Sequence, residues 1–203
     1  MPGMFRNSLL LLGALTMSLT GLTQQKAPST TTDLAITYVA ERAKIASIDC
    51  GCFWLEGGSM NAAVTFYRGF GLAANITGGH ASSVTPGVDL DKVSFLMGPR
   101  YTYRPGKWSG HSLGQHGEVR IFGEGLAGGV HGFNTIFPSS GGVAGAASSF
   151  AFQAGGGLDW TLWKNIGIRV VEADYVRSTL PNGGNNTQHD LRLAAGISFH
   201  FRD

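Results

Sequence analysis

The stretch Asp190-Leu-Arg-Leu-Ala-Ala-Gly-Ile-Ser-Phe-His-Phe201 decides the fold, because its side chains alternate between apolar and polar along its whole length. Leucine, alanine, isoleucine and phenylalanine occupy every second position from 191 to 201, while Arg192, Ser198 and His200 belong to the other face. Successive side chains of a β-strand point to opposite faces, so a period of two marks a strand with one apolar face. The stretch therefore predicts a β-strand that separates two different environments.

The same alternation recurs upstream and predicts seven more strands. They span residues 34–44, 59–67, 70–80, 92–104, 118–131, 149–162 and 166–177. In the last of them the apolar positions change parity at Val170-Val171, which predicts a β-bulge there. In 118–131, Phe122 and Leu126 fall on the polar side. Strands of about 9–13 residues exceed the usual length in soluble sheets and match a tilted membrane-spanning strand.

The links between these strands alternate in length. Tight turns are predicted at Arg68-Gly69 and at Trp163-Lys164-Asn165. The longer links are polar or glycine-rich and span 45–58, 81–91, 132–148 and 178–189. Outer-membrane barrels have short periplasmic turns and longer external loops, so we expect the longer links outside the cell and both termini in the periplasm. The link 105–117 departs from this rule, because it is too long for a tight turn.

Aromatic residues cluster beside the short turns and near the end of the chain. These residues are Phe66, Tyr67, Phe70, Tyr101, Tyr103, Trp160, Trp163, Phe199 and Phe201. An aromatic belt at one end of every hairpin is typical of a membrane interface. The predicted fold is therefore all-β, an eight-stranded antiparallel up-and-down transmembrane β-barrel. A soluble lipocalin-like barrel is the alternative, with its apolar face turned inward.

Charge is scarce and is concentrated on the polar faces. Charged residues make up 14% of the 203 residues and the net charge is +2, whereas soluble domains average about 25% charged residues. The polar faces carry Lys92, Arg100, Arg104, Arg120, Arg169 and Arg192 together with Glu41, Glu124, Asp159, Glu172, Asp174 and Asp190. Unpaired buried charges are costly, so this balance predicts a cross-strand ion-pair network that fills the lumen. The weak net charge argues against a nucleic-acid partner.

The N-terminal residues 1–23 have the features of an export signal, with Arg6 followed by an apolar run from Leu9 to about Leu22. The alternative is a membrane anchor, for which the apolar run is short. Residues 24–33 are predicted to be a flexible leader and 34–203 the barrel domain. Cys50 and Cys52 are expected to form a disulfide in a tight loop or to stay as two free thiols.

The motif Met97-Gly98-Pro99-Arg100-Tyr101 and the ending 194–201 identify a resemblance. They resemble the eight-stranded β-barrel domains of the outer membrane protein A-like and opacity-protein superfamily, and the resemblance covers residues 34–201. It implies a monomer in the bacterial outer membrane, in contact with outer-membrane lipid and lipopolysaccharide. It also implies an assembly signal for the barrel assembly machinery, comprising Gly196, Phe199 and Phe201.

Function is less specified by the sequence than fold. The superfamily hosts many roles, so the resemblance does not specify one activity. A structural or surface-interaction role is expected, without enzymatic activity, cofactor or metal. One alternative is a small-solute or ion channel. The other is a lipid-modifying enzyme using His80 with Ser82 or Ser83, for which Asp89 is the first carboxylate after His80 in the sequence. The glycine pattern of 123–128 matches a dinucleotide motif but lies within a predicted strand, so it predicts no cofactor site.

Overall fold

A computed structural model describes residues 30–44, 51–85, 87–105, 117–139, 142–182 and 186–202. These residues form eight antiparallel strands that pair in chain order into a closed barrel, which confirms the predicted fold class. The strands are β1 (Thr31–Lys44), β2 (Cys52–Tyr67), β3 (Phe70–Thr85), β4 (Val88–Tyr103), β5 (Val119–Ser139), β6 (Gly142–Trp163), β7 (Ile166–Ser178) and β8 (Gln188–Arg202). None of the described residues forms a helix long and apolar enough to cross a membrane.

The strands are staggered around the barrel. The row of paired residues that starts at Thr31 passes Arg100 on β4 and Asp174 on β7 and returns to β1 at Glu41, ten residues further along. Strand number and stagger together determine strand tilt and barrel width, and eight strands leave an interior that side chains can fill. The same row also brings charges from distant parts of the chain to one level of the lumen.

Both predicted tight turns are confirmed. Arg68 and Gly69 join β2 to β3 with φ values of 46° and 93°, a combination that suits the right-handed twist of a two-residue hairpin. Lys164 and Asn165 join β6 to β7, and Lys164 has a φ of 31°. The end of the barrel that carries these two turns and the last residue of β8 is called the turn end here, and the opposite end is called the hairpin end.

The strands are longer than the sequence pattern predicts. β1 begins at Thr31, so residues 31–33 belong to the barrel and not to the leader, because Thr31 and Asp33 are buried in the interior. Most of the expected long link 132–148 is a hairpin, since β5 continues to Ser139 and β6 begins at Gly142, and its register shifts between Phe133 and Phe137. The links 45–58 and 81–91 are shortened in the same way. The signal 1–23 and most of the link 105–117 lie outside the described residues.

The predicted bulge on β7 is confirmed. Pairing with β6 shifts between Arg169 and Val171, and pairing with β8 shifts between Arg169 and Glu172. Val170 and Val171 are consecutive and both exposed on the outer surface, which a regular strand does not allow. The bulge keeps Arg169, Glu172 and Asp174 on the same inner face.

The barrel turns its apolar faces outward. Along β8, Leu191, Leu193 and Ile197 are exposed, while Arg192 and Ser198, which follow Leu191 and Ile197, are buried. The predicted aromatic positions follow the same rule near the turn end. All of them except the half-buried Phe199 are exposed, namely Phe66, Tyr67, Phe70, Tyr101, Tyr103, Trp160, Trp163 and Phe201. This polarity is opposite to that of a lipocalin-like barrel and matches a lipid-facing belt with an interfacial girdle.

Gly57 on β2 and Gly78 on β3 allow the close packing of these two strands to be tested. We expect Gly57→Ala to destabilise the barrel by about 1–3 kcal/mol, the usual cost of forcing an extra methyl into a packed site. A Cβ at Gly57 would overlap the backbone oxygen of Gly78. The free energy of unfolding can be measured by urea titration of the protein refolded in lipid vesicles.

Gly78→Ala is the matched control. Nothing lies within 4 Å of a Cβ built at Gly78, so that variant should unfold at the same urea concentration as the parent protein. Equal midpoints for both variants would contradict the described packing of β2 against β3.

Candidate functional site: the barrel interior and its hairpin end

Arg169 is the centre of the ion pairs in the lumen. Its Nε and Nη2 donate to the two carboxylate oxygens of Asp159 at 2.8 and 3.2 Å, and its Nη1 donates to Glu172 Oε2 at 2.8 Å. All three side chains are almost completely buried. Such a two-pronged contact between a guanidinium and a carboxylate combines charge with fixed geometry. It therefore holds β6 and β7 together from inside the barrel.

The position of Phe122 on the polar face of β5 is explained by its contacts with two arginines of the lumen. The guanidinium carbons of Arg100 and Arg169 lie 3.7 and 4.4 Å from its ring centroid. Arg100 also donates from Nη1 to Asn61 Oδ1 at 2.6 Å and lies 3.7 Å from the Glu124 carboxylate. Stacking on a ring face stabilises a buried cation. Phe122 thereby connects two arginines that would otherwise repel each other.

A second group of charges lies further toward the hairpin end. Glu41 accepts from Lys92 and from Arg192, whose Nη2 is 2.9 Å from the carboxylate. Lys92 also donates to Asp190 Oδ2 at 3.1 Å. Arg192 donates from Nη1 to Gln153 Oε1 at 2.9 Å, and this glutamine connects the group to the charges around Phe122. Side chains from five strands therefore meet in one network.

The lumen at the turn end contains a pair that the sequence pattern did not reveal. Asp33 accepts from Arg120 Nη1 at 2.9 Å and lies 2.8 Å from His200 Nδ1. Arg120 and the half-buried Arg104 also approach Glu118 at 3.3 and 3.5 Å. Asp33 lies four positions before Thr37, which is buried in the lumen. Because an even spacing places both side chains on the same face of a strand, it could have identified Asp33 as a luminal residue. Its assignment to the leader hid it.

Asp174 departs from the predicted network. Its side chain is buried in the lumen, but its Oδ1 has no hydrogen-bond partner among the described residues. Single oxygens of Asp174, Glu124 and Glu172 lie within 4.8 Å of one another, the one such cluster in the described part of the chain. With Asp33 added and Arg104 half-buried, the buried carboxylates outnumber the buried lysine and arginine side chains. The expected six-to-six balance is therefore wrong.

An apolar cluster fills the interior nearer the hairpin end. Leu126, Val130, Phe137 and Leu180 are buried and in mutual contact within one cluster. A Cβ built at Gly132 would lie 2.7 Å from the Phe137 ring, so the ring occupies space that only glycine leaves free. These side chains fill the lumen between the ion pairs and the hairpin end.

The outer surface at the hairpin end places His80 beside a carboxylate. His80 Nδ1 lies 2.8 Å from Asp91 Oδ1, and Asn134 donates to the other oxygen of Asp91. The partner is Asp91 and not Asp89, the first carboxylate after His80 in the sequence. Ser82 lies on the same face as His80, but no hydrogen bond joins it to the ring within the described residues. Ser82 thus does not complete a serine–histidine–carboxylate relay within the described residues, and the side chain of Ser83 lies outside them.

The remaining predicted residues occupy the expected strand or its edge. Gly196 lies in the middle of β8, where a Cβ would overlap the backbone oxygen of Ile36, and Phe199 and Phe201 lie at the turn end. Their role in assembly stays a prediction. Cys52 is exposed at the start of β2, and Cys50 lies outside the described residues, so their disulfide also stays a prediction.

The hairpin of β5 and β6 continues beyond the neighbouring strands. β5 loses its partner β4 after Phe133, and β6 gains its partner β7 only at Ala151. Between these points β5 and β6 pair only with each other, as far as Ser139 and Gly142. No lysine, arginine, aspartate or glutamate occurs between residues 125 and 158. The hairpin is therefore an uncharged projection from the barrel.

No protein-family model and no curated protein matches the chain. Among solved structures, it is similar to Ail, the attachment invasion locus protein of Yersinia pestis, in complex with the heparin analogue sucrose octasulfate, at a TM-score of 0.51 and 19% identity over 85% of this chain and 99% of that chain. It is also similar to Neisserial surface protein A, at a TM-score of 0.52 and 13% identity over 85% of this chain and 97% of that chain.

These likenesses define the class of the fold, and the sequence resemblance is confirmed at that level. The chain is an eight-stranded β-barrel with the architecture of outer-membrane barrels, an apolar exterior and a polar interior. It is a protein of the bacterial outer membrane that crosses the bilayer with its strands.

The central ion pairs give a stability prediction. We expect Arg169→Met to destabilise the barrel by about 3–5 kcal/mol, because it leaves the buried carboxylates of Asp159 and Glu172 without their cation. The measurement is the free energy of unfolding in urea for protein refolded in vesicles.

Arg68→Met removes the same charge from an exposed position in the turn between β2 and β3, and its cost should stay within about 0.5 kcal/mol. If Arg169→Met were as stable as this control, the luminal ion pairs would not hold the barrel together.

Proposed function

We propose that the protein is a surface-interaction barrel whose β5–β6 hairpin binds extended polypeptide outside the cell. The observation that carries this proposal is the free edge of β6 over residues 142–149, which pairs with no other strand than β5 in the described part of the chain. We place this hairpin outside because the short turns lie at the opposite end of the barrel.

The hairpin lacks most devices that protect a sheet edge. Exposed edges are usually blunted by charges, proline or covering loops. The edge of β5 contains Pro138, whereas residues 142–149 of β6 contain neither proline nor a charged residue. Thr179 N donates to the carbonyl of Phe150 at 3.2 Å and so covers only the base of that edge. The backbone groups of the edge beyond Phe150 are available to a partner strand, the arrangement that underlies binding by β-strand addition.

The side chains of the hairpin favour such a partner. Val143 and Ile136 are exposed at 74% and 59%, and glycine, alanine and serine supply most of the remaining surface. A small, uncharged surface lets a second strand approach closely without desolvating charges. The partner that fits is an extended segment with few charges.

The filled interior argues against the channel alternative. Ion pairs occupy the lumen around Arg169, and the cluster that contains Phe137 and Leu180 closes it toward the hairpin end. Buried, paired side chains leave no continuous aqueous path in a barrel of this width. Function is therefore expected at the surface.

A peptide with the sequence of residues 142–150 tests the hairpin proposal, because it can add to the β6 edge as a further uncharged strand. We expect the fluorescently labelled peptide to bind the refolded protein in micelles, measured by fluorescence anisotropy. The same peptide N-methylated at every second residue should bind at least tenfold more weakly, since it lacks the backbone donors that strand addition needs.

The control is a variant in which residues 134–145 are replaced by Asn-Gly, which keeps Phe133 opposite Ala146 as the pair that closes the hairpin. It should bind neither peptide. Equal affinity of both peptides for the parent protein, or retained binding by the shortened variant, would exclude strand addition at this hairpin.

The closed lumen gives a separate prediction. In planar bilayers with concentrated potassium chloride, the refolded protein should give no sustained single-channel current, because the ion pairs and the apolar cluster obstruct the path. Double substitution of Phe137 and Leu180 by alanine should leave this unchanged, since the ion pairs remain. Long-lived openings of the parent protein would favour the channel alternative instead.

A further inference from the structure

Four basic side chains lie together on the outer surface of β7, β8 and β1 at the hairpin end. Arg177 is paired with His189 across β7 and β8, and Arg42 is paired with Leu191 across β8 and β1. Lys44 lies two residues beyond Arg42 on the same face. From strand spacing and rise, their Cα atoms fall within roughly 12 Å of one another.

Three of these cations have no counter-charge in the described residues. Arg42, Lys44 and Arg177 are exposed and form no ion pair there, whereas the buried arginines of the lumen are paired. The outward positions of β1, β7 and β8 carry no carboxylate. The nearest outward carboxylate, Glu56, is paired with Ala40 and not with Arg42. Like charges at neighbouring positions repel, so an anion from outside would stabilise this arrangement.

The basic cluster stands where the apolar belt ends. Immediately toward the turn end, Tyr175, Leu191 and Leu193 are exposed to 43%, 50% and 41%. Tyr175 also hydrogen-bonds through its hydroxyl to His189 Nδ1, which ties the tyrosine to the basic row. Aromatic residues with a polar tip and long basic side chains occupy the headgroup level of membranes. The anion at this level is therefore that of a lipid.

The opposite side of the same rim carries the opposite charge. Glu56, Asp89 and Asp91 face outward on β2 and β4, where His80 is bonded to Asp91. Carboxylates at the headgroup level repel phosphate, so an anionic lipid is confined to the side formed by β7, β8 and β1. This division distinguishes a site from a uniformly basic collar.

We propose that Arg42, Lys44 and Arg177 bind the phosphate of a membrane lipid whose acyl chains lie against Leu191 and Tyr175. Guanidinium groups present paired donors that match phosphate oxygens, and an ammonium adds a point charge. The headgroup supplies the missing negative charge, and the apolar belt below it supplies contact for the chains. This site is independent of the hairpin and of its partner.

Phosphatidic acid is the probe, and native mass spectrometry of the refolded protein in detergent measures its binding. We expect phosphatidic acid to bind more tightly than phosphatidylcholine of the same chain length. Arg42→Gln with Arg177→Gln should weaken phosphatidic acid binding by about 25-fold, because each cation near anionic lipid contributes about fivefold in affinity.

Arg68→Gln with Lys164→Gln removes the same two charges from the turn end and is the matched control. Its affinity for phosphatidic acid should stay within about twofold of the parent protein, as expected for a site at the other rim. Inorganic phosphate at the lipid's concentration should not displace the lipid, because it lacks the acyl chains. Equal weakening in both double variants, equal binding of phosphatidylcholine, or displacement by inorganic phosphate would each overturn the proposal.

Discussion

The narrow interior of the barrel is the constraint on which the rest of the structure depends. Eight staggered strands enclose little space, and every second residue must place its side chain there. Arg169 meets this constraint by pairing with Asp159 and Glu172 while stacking on Phe122. Large cations then require small neighbours. A Cβ at Gly157 would lie 2.8 Å from the Phe122 ring, so glycine here makes room for the ring on which the arginines stack.

Part of the high glycine content of the chain follows from this constraint. The chain contains 31 glycines and only 14% charged residues. At Gly155 and Gly196 a side chain would collide with groups of the adjacent strand. Charge is scarce because the other half of each strand faces lipid, where a charged side chain costs several kcal/mol near the midplane. The scarcity of charge and the close approach of the strands at these glycines thus both reflect a narrow barrel with one face toward lipid.

The features readable from the sequence are those that depend on alternation within one strand. The parity change at Val170-Val171, the turn at Arg68-Gly69 and the inward direction of Arg192 all follow from positions close together in the chain. Partners across the barrel depend on register, which alternation does not specify, since shifting a strand by two residues keeps the same face inward. The contact between His80 and Asp91 is of this kind, because it follows from the register of β3 and β4.

Asp33 and Phe137 illustrate the same limit at the two ends of the lumen. Asp33 contacts Arg120 and His200, which lie far from it in the sequence, so nothing nearby marks it as a luminal residue. Phe137 belongs to a segment that reads as a loop, yet the segment continues the β5 strand and turns the ring over Gly132. Strand length beyond the membrane depends on pairing between β5 and β6 and not on hydrophobic alternation.

The ion pairs of the interior direct attention to the hairpin end, where the fold leaves other groups without partners. Inside the barrel, arginines from different strands meet carboxylates, although Asp174 Oδ1 has no hydrogen-bond partner among the described residues. At the hairpin end, the edge of β6 and the side chains of Arg42 and Arg177 have no such partner in the described residues. A strand edge calls for backbone groups, whereas clustered cations call for an anion. These two kinds of incompleteness are chemically different and lie on separate elements, so the rim can engage a polypeptide and a lipid headgroup without competition between them.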